Sequence, residues 1–169
     1  MGTWWRPARI ISGGQTGADQ GGLLAAVELG IPSGGTAPRG WLTEEGPQKH
    51  LLRRFGLVEC SATGYPARTK ANVIESDATL IIGPYRTGGS ALTAKLANDC
   101  NKPMFHLSYT GQDIADIASM DEQIGEFRYW LERFKIRTLN VAGNRESQTP
   151  GLQEFARKFL IAAIGAPES

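Results

Sequence analysis

Cysteine and histidine are scarce in this chain, and the few present stand apart. Cys60 and Cys100 lie in no CxxC arrangement, which gives no support to a thiolate metal clip or a redox dithiol. Cys60 reads as a buried structural thiol ahead of the other reading, a thiol that approaches a bound metal centre. His50 and His106 have no partner in sequence, and His106, at a strand end, reads as packed or solvated, not as a ligand. No metal-ligating set is therefore expected. The cysteine usage fits a reduced, cytoplasmic setting. No apolar run approaches the about 20 residues needed to cross a bilayer, and the opening MGTWWRPAR is too short and polar for a secretory leader. Gly2 is not followed by a myristoylation pattern, because Arg6 stands where Ser or Thr is needed. An excess of either charge is lacking as well: 18 Lys and Arg against 17 Asp and Glu leave +1. That balance argues against a general nucleic-acid binder, which carries a basic field, but not against a small anionic ligand held by two or three local cations.

Two common nucleotide signatures are also missing. The first glycine-rich turn reads GGQTG where a dinucleotide fold needs GxGxxG, no acid lies at Thr36 to Trp41 for a ribose, and Arg39 is there instead. No GxxxxGK[ST] run exists, which removes a Walker-type NTPase.

Glycine is abundant, at 21 of 169 residues, and it clusters where apolar runs end. IISGGQTGAD at Ile10 to Asp19 passes from a short strand through a glycine turn into a helix. LIIGPYRTGGS at Leu80 to Ser90 and LNVAGNRES at Leu139 to Ser147 have the same construction. Such turns let backbone approach an anion, and the first amides of the following helix point at it without internal partners. The helix dipole adds roughly 0.3 to 1 kcal/mol for a negative group.

Read in order, Ala8 to Ser12 is a strand and Thr16 to Leu29 a helix, buried through Leu23, Leu24, Ala26 and Val27 and closed by Gly30. Gly21 and Gly22 inside that helix cost on the order of 1 kcal/mol each, which close packing on the sheet or on a ligand explains. Ile31 to Gly46 is loop with a very short strand near Ser33 to Thr36. Lys49 to Phe55 is a helical turn and Leu57 to Cys60 a minor strand. Ala67 to Ser76 is a helix with Ala71, Val73 and Ile74 apolar, and Ala78 to Ile82 a central parallel strand covered on both faces. Ser90 caps a helix over Ala91 to Asn101, and Met104 to Leu107 is a strand. Tyr109 to Ser119 is ambiguous. Met120 to Phe134 is an amphipathic helix, with Ile124, Phe127, Trp130, Leu131 and Phe134 on one side. Thr138 to Ala142 is the last strand, and Thr149 and Pro150 open the closing helix. Strands alternating with helices give an α/β, Rossmann-like three-layer sandwich with a mainly parallel sheet and helices on both faces, one ligand-binding domain over residues 1–169.

In a parallel sheet the three turns gather at one carboxyl edge, where ligands of open α/β folds bind. The first turn contributes Gly13, Gly14, Gln15, Thr16 and Gly17. Asp19 either caps its helix or receives a polar ligand edge. Thr87, Gly88, Gly89 and Ser90 offer amides and hydroxyls in the manner of a nest. Asn140, Gly143, Arg145, Glu146 and Ser147 follow the last strand. Arg145 is either a fork contact to phosphate, worth roughly 1.5 to 3 kcal/mol, or a surface ion pair with Glu146 or another acid. Arg39 and Arg68 are further candidate cations, and Asn72 lies one helical turn beyond Arg68. Trp4, Trp5 and Trp41 are candidates to cover a ring or an oligomer contact.

SGGQTGADQGGL at Ser12 to Leu23, YPARTKANVIESDATLII leading into TGGSALT, and LNVAGNRESQTPG together resemble the molybdenum cofactor carrier family, also described as the circularly permuted YpsA branch of the SLOG superfamily. The likeness covers about Arg9 to Leu160, with Asn144 standing where the family pattern has proline. It implies a homo-oligomer, a tetramer in characterised members, which binds and protects molybdenum cofactor as cargo and passes it to molybdoenzymes. That cargo, a pterin dithiolene with a terminal phosphate and an oxidised molybdenum centre, is anionic at both ends. A second likeness is to the phosphoribohydrolases of the same superfamily, through Arg68, Ser76, Asp77, Ala78, Gly88 and Gly89. Their catalytic glutamates belong near Thr93 to Lys95, which here reads Thr, Ala, Lys. Without that acid the hydrolysis lacks its general base or electrostatic stabiliser. Binding without catalysis is the reading that results; a nucleotide-processing enzyme and a nucleotide sensor are its alternatives.

Overall fold

The computed structural model describes residues 3–109 and 117–166; of the ambiguous stretch, residues 110–116 lie outside these. In chain order the elements are β1 (Arg9–Ile11), α1 (Ala18–Leu29), β2 (Ser33–Ala37), β3 (Leu42–Thr43), β4 (Gly46–Pro47), α2 (Lys49–Arg54), β5 (Leu57–Glu59), α3 (Tyr65–Glu75), β6 (Ala78–Ile82), α4 (Gly88–Asp99), β7 (Met104–Leu107), α5 (Ile117–Arg133), β8 (Thr138–Gly143) and α6 (Leu152–Ile164). Six strands form one sheet in the order β5-β2-β1-β8-β6-β7, and β3 and β4 form a separate small hairpin. Every pairing in the six-stranded sheet is parallel. The result is the α/β Rossmann-like fold expected.

Alternation along the strands sorts the two faces. Ile10, Leu80, Ile82, Leu139 and Val141 belong to a core with Ala25 and Ala26 of α1, Phe127 and Leu131 of α5, and Phe159 and Leu160 of α6. Ile11, Thr79, Ile81 and Asn140 take the opposite phase, toward the side where α3 packs on α4 and β2 and α4 packs on β6. β6 is buried at all five positions, which is why its sequence is an unbroken apolar run bearing one threonine. The two helix glycines are explained by contact. A Cβ on Gly21 would lie 2.5 Å from the Gln153 carbonyl of α6, and one on Gly22 2.8 Å from Val141 of β8.

Several expectations change at element ends. α1 begins at Ala18, with Gly17 before it, and its buried stripe is Leu23, Ala25 and Ala26, since Val27 is 59% exposed. Ile74 and Phe134 are also exposed. Ser90 is not a cap: α4 starts at Gly88 after Thr87, and the Ser90 hydroxyl donates to Asn144 Oδ1 at 3.0 Å. α6 starts at Leu152 behind a left-handed Gly151, and Thr149 instead accepts a hydrogen bond from Asn144 Nδ2 at 3.1 Å. β2 is a full five-residue strand between β1 and β5 despite its paired glycines. Among the described residues no helix is long and apolar enough to cross a membrane.

Candidate functional site

Because β1, β8 and β6 are neighbours and parallel, the turns that leave their carboxyl ends meet. They enclose, with the start of α3, a cavity of about 490 Å³, within the 300 to 1,000 Å³ range of small-molecule sites. Gly13, Gln15 and Asp19 line it from the first turn, Arg68 and Asn72 from α3, Thr87 to Ser90 from α4, and Asn140, Gly143 and Arg145 from β8 and beyond. Asn144, Tyr65, Thr69, Thr93 and Gln148 line it too.

The remaining predicted residues sit elsewhere. Gly14 backs onto Leu52 and Leu57. Gly17 lies against the loop after β8, where a Cβ would come within 2.3 Å of the Asn144 carbonyl. Arg39 is exposed beyond β2 and does not line the cavity. The Glu146 carboxylate accepts from the amides of Gly151 at 2.6 Å and Gln153 at 3.1 Å, so it caps α6. Thr16 and Ser147 donate their hydroxyls to Glu44. Trp4 and Trp5 donate to the carbonyls of Ile164 and Ile136, Trp41 is buried with Leu23 and Leu52, and none of the three lines the cavity.

Two cations differ in their engagement. Arg145 is exposed, and among the described residues no carboxylate lies within ion-pair distance of it. Arg68 Nη1 donates to Asp19 Oδ2 at 3.1 Å, with the side chains 13% and 5% exposed. Gly13 is glycine for this reason: a Cβ there would fall 1.7 Å from Arg68 Nη1. Burial pushes the Asp19 carboxyl up to about 6, against the opposing pull of Arg68 and of the Gln15 amide. Arg68 Nε is buried and unpartnered, and the guanidinium carbon lies 5.4 Å from the Tyr65 ring centroid. Asn72 is committed to β2, its amide bonding Thr36 N at 2.8 Å and Thr36 O at 3.0 Å. Asn140 Nδ2 donates to Thr79 at 3.2 Å.

Glu44, at the tip of the β3–β4 hairpin, is a residue that nothing in the sequence marked. Its carboxylate receives the hydroxyls of Thr16 and Ser147 and the Ser147 amide at 3.1 Å, while its own amide donates to Gln15 Oε1 at 2.9 Å. The hairpin thereby fastens the turn after β1 to the loop carrying Arg145. Partial burial opposes ionisation of Glu44, but the bonds from Ser147 and Thr16 outweigh it and lower its carboxyl below the ordinary value. Glu44→Ala is expected to lower the thermal midpoint by about 2 to 4 °C, from about 1 kcal/mol in a partly exposed network. Glu44→Gln, which keeps an acceptor, should lose less; differential scanning calorimetry compares them.

Residues 10–164 match the family described as the circularly permutated YpsA SLOG family. A crystal structure from Syntrophus aciditrophicus SB, of a protein described as "putative molybdenum carrier protein", is 34% identical and superposes with a TM-score of 0.84, over 97% of this chain and 98% of that one. No curated protein matches the chain.

Proposed function

Since this chain belongs to the circularly permutated YpsA SLOG family, we propose that it is a carrier which binds molybdenum cofactor as cargo, in the cavity at the carboxyl edge of its sheet, and does not turn it over. The observation that carries this reading is the meeting of three glycine-rich turns around one cavity. At its α4 end the first-turn amides have no intrahelical acceptors, and Arg145 forms no ion pair within 4 Å among the described residues, its charge acting on Glu44 only at longer range. An anionic terminus of the cargo, its phosphate, sits there. Association of subunits into a homotetramer shields the labile dithiolene, and molybdoenzymes in the cytoplasm receive the cofactor.

Hydrolysis of a nucleotide, the rival reading, needs a carboxylate from the early turns of α4. Thr93 donates its hydroxyl to the Gly89 carbonyl at 3.0 Å and Lys95 pairs with Asp99 at 2.7 Å. Asp19, the acid in the cavity wall, is already engaged by Arg68.

Purified protein incubated with molybdenum cofactor is expected to retain it through a desalting column. Arg145→Ala should weaken retention roughly 10- to 150-fold, the loss of one charge-assisted contact. Gly89→Val should weaken it at unchanged thermal midpoint, because a Cβ at Gly89 meets no protein atom within 4 Å. Equal loss of cofactor from the wild type and from an unrelated protein overturns the carrier reading.

A further inference from the structure

We propose that Tyr65 is the stacking platform of this cavity, and that the ligand it selects is a flat heterocycle bearing a phosphate. The proposal deepens the carrier reading by assigning the ring-binding end of the same site. Tyr65 opens α3 and lines the cavity, yet it is 43% exposed. It ends a chain that runs outward from the interior. Asp19 holds Arg68 at 3.1 Å, and the Arg68 guanidinium carbon stands 5.4 Å from the Tyr65 ring centroid. A ring placed in this way is oriented by a fixed cation, lines the cavity and keeps 43% of its residue surface exposed. Pro84 and Leu92 supply other apolar lining, and Gly88, Gly89 and Arg145 line the same cavity. An aromatic wall serves a planar π system, whereas a bare phosphate gains nothing from it and a sugar phosphate, with only C–H groups to lay on the ring, gains less. The tryptophans, which the sequence offered for this task, are placed elsewhere.

Stacking of a base on an aromatic side chain is typically worth about 5- to 150-fold in affinity by alanine substitution. The test uses the full chain with guanosine monophosphate, guanosine and ribose 5-phosphate as probes, read by isothermal titration calorimetry. Guanosine monophosphate should bind the wild type at least about tenfold tighter than ribose 5-phosphate. Tyr65→Ala should remove most of that advantage and leave ribose 5-phosphate unchanged, and Tyr65→Phe should keep it. At 43% exposure the side chain tolerates truncation; an unchanged thermal midpoint checks this, and the comparison of probes on the wild type needs no variant. Molybdenum cofactor retention by Tyr65→Ala, weakened to a similar degree, places the pterin ring on the same surface. If ribose 5-phosphate fails to bind while guanosine binds in a Tyr65-dependent way, the anion reading falls and the platform stands. If Tyr65→Ala leaves guanosine monophosphate unaffected, weakens both phosphates equally, or no heterocycle binds, the platform is overturned.

Discussion

Gly17→Ala is expected to lower the thermal midpoint by about 6 to 12 °C and to abolish cofactor retention, although it adds a single methyl group. Gly17 has φ 81 and ψ −129, a conformation that L side chains rarely adopt and that costs of order 1 to 3 kcal/mol. The methyl would also stand 2.3 Å from the Asn144 carbonyl, 2.8 Å from the Glu146 amide and 2.9 Å from the Arg145 carbonyl carbon. To accept it, the turn after β1 and the loop after β8 must separate. The bonds from the Ala18 amide to the Asn144 carbonyl and from the Glu146 amide to the Thr16 hydroxyl are then lost. A total of about 3 kcal/mol corresponds to the stated shift in a chain of this size. Gly40→Ala is the control. Gly40 has φ 82 but nothing within 4 Å of a Cβ, so it reports backbone strain alone and should cost about 1 kcal/mol. If the two variants melt together and both retain cofactor, the contact between the loops does not matter as argued.

Arg68→Met should destabilise the protein by about 3 to 5 kcal/mol near pH 8, because it strands a buried carboxylate without its cation. The same variant should recover much of that loss in acid, where Asp19 is neutral. In the wild type the Asp19 carboxyl is already raised from 3.8 to about 6, mainly by burial. The folded chain therefore takes up this proton more readily than the unfolded chain. The stabilisation is complete below about pH 4 and is lost as pH rises through about 6; a shift of about two units corresponds to about 3 kcal/mol across that window. Glu44 and Glu154 are shifted the other way and lose stability in acid, so the difference between the wild type and Asp19→Asn isolates the Asp19 contribution. Urea unfolding from pH 4 to 8 should show the wild type losing about 3 kcal/mol relative to Asp19→Asn. A flat difference would mean that Asp19 titrates alike in both states.

Much of the fold was legible because it follows from burial and period. The run at Ala78 to Ile82 reads as a strand covered on both faces, and it is one. Glycines directly after apolar runs marked the turns, and parallel strands bring such turns to one edge. Helix starts were harder to read. Ser90 looked like a cap, yet α4 already takes in the two glycines before it, and Gly88 enters it at φ 66, a turn that glycine makes freely and that no side-chain preference betrays. Long-range polar contacts were not legible at all. Glu44 meets Ser147 across 103 positions of sequence, and Arg68 meets Asp19 across 49; neither period nor propensity encodes such a meeting. Arg39 carried the right charge, but it stands exposed and does not line the cavity. Arg68 and Gly13 show a relation that only coordinates reveal, in which a residue without a side chain is present so that another can lie on it.

Of the described strands, the last made is the one in the middle of the sheet. β8 lies between β1 and β6, so a ribosome that has finished β7 has produced two half-sheets, β5-β2-β1 and β6-β7, each with a bare flank where the other will later be joined. Pairing of this kind spans long stretches of chain and is slow, and unpaired flanks invite association between molecules. A nascent chain that stops before Thr138 therefore has no partial version of the pocket to offer, and chaperone capture during synthesis should persist until β8 has emerged.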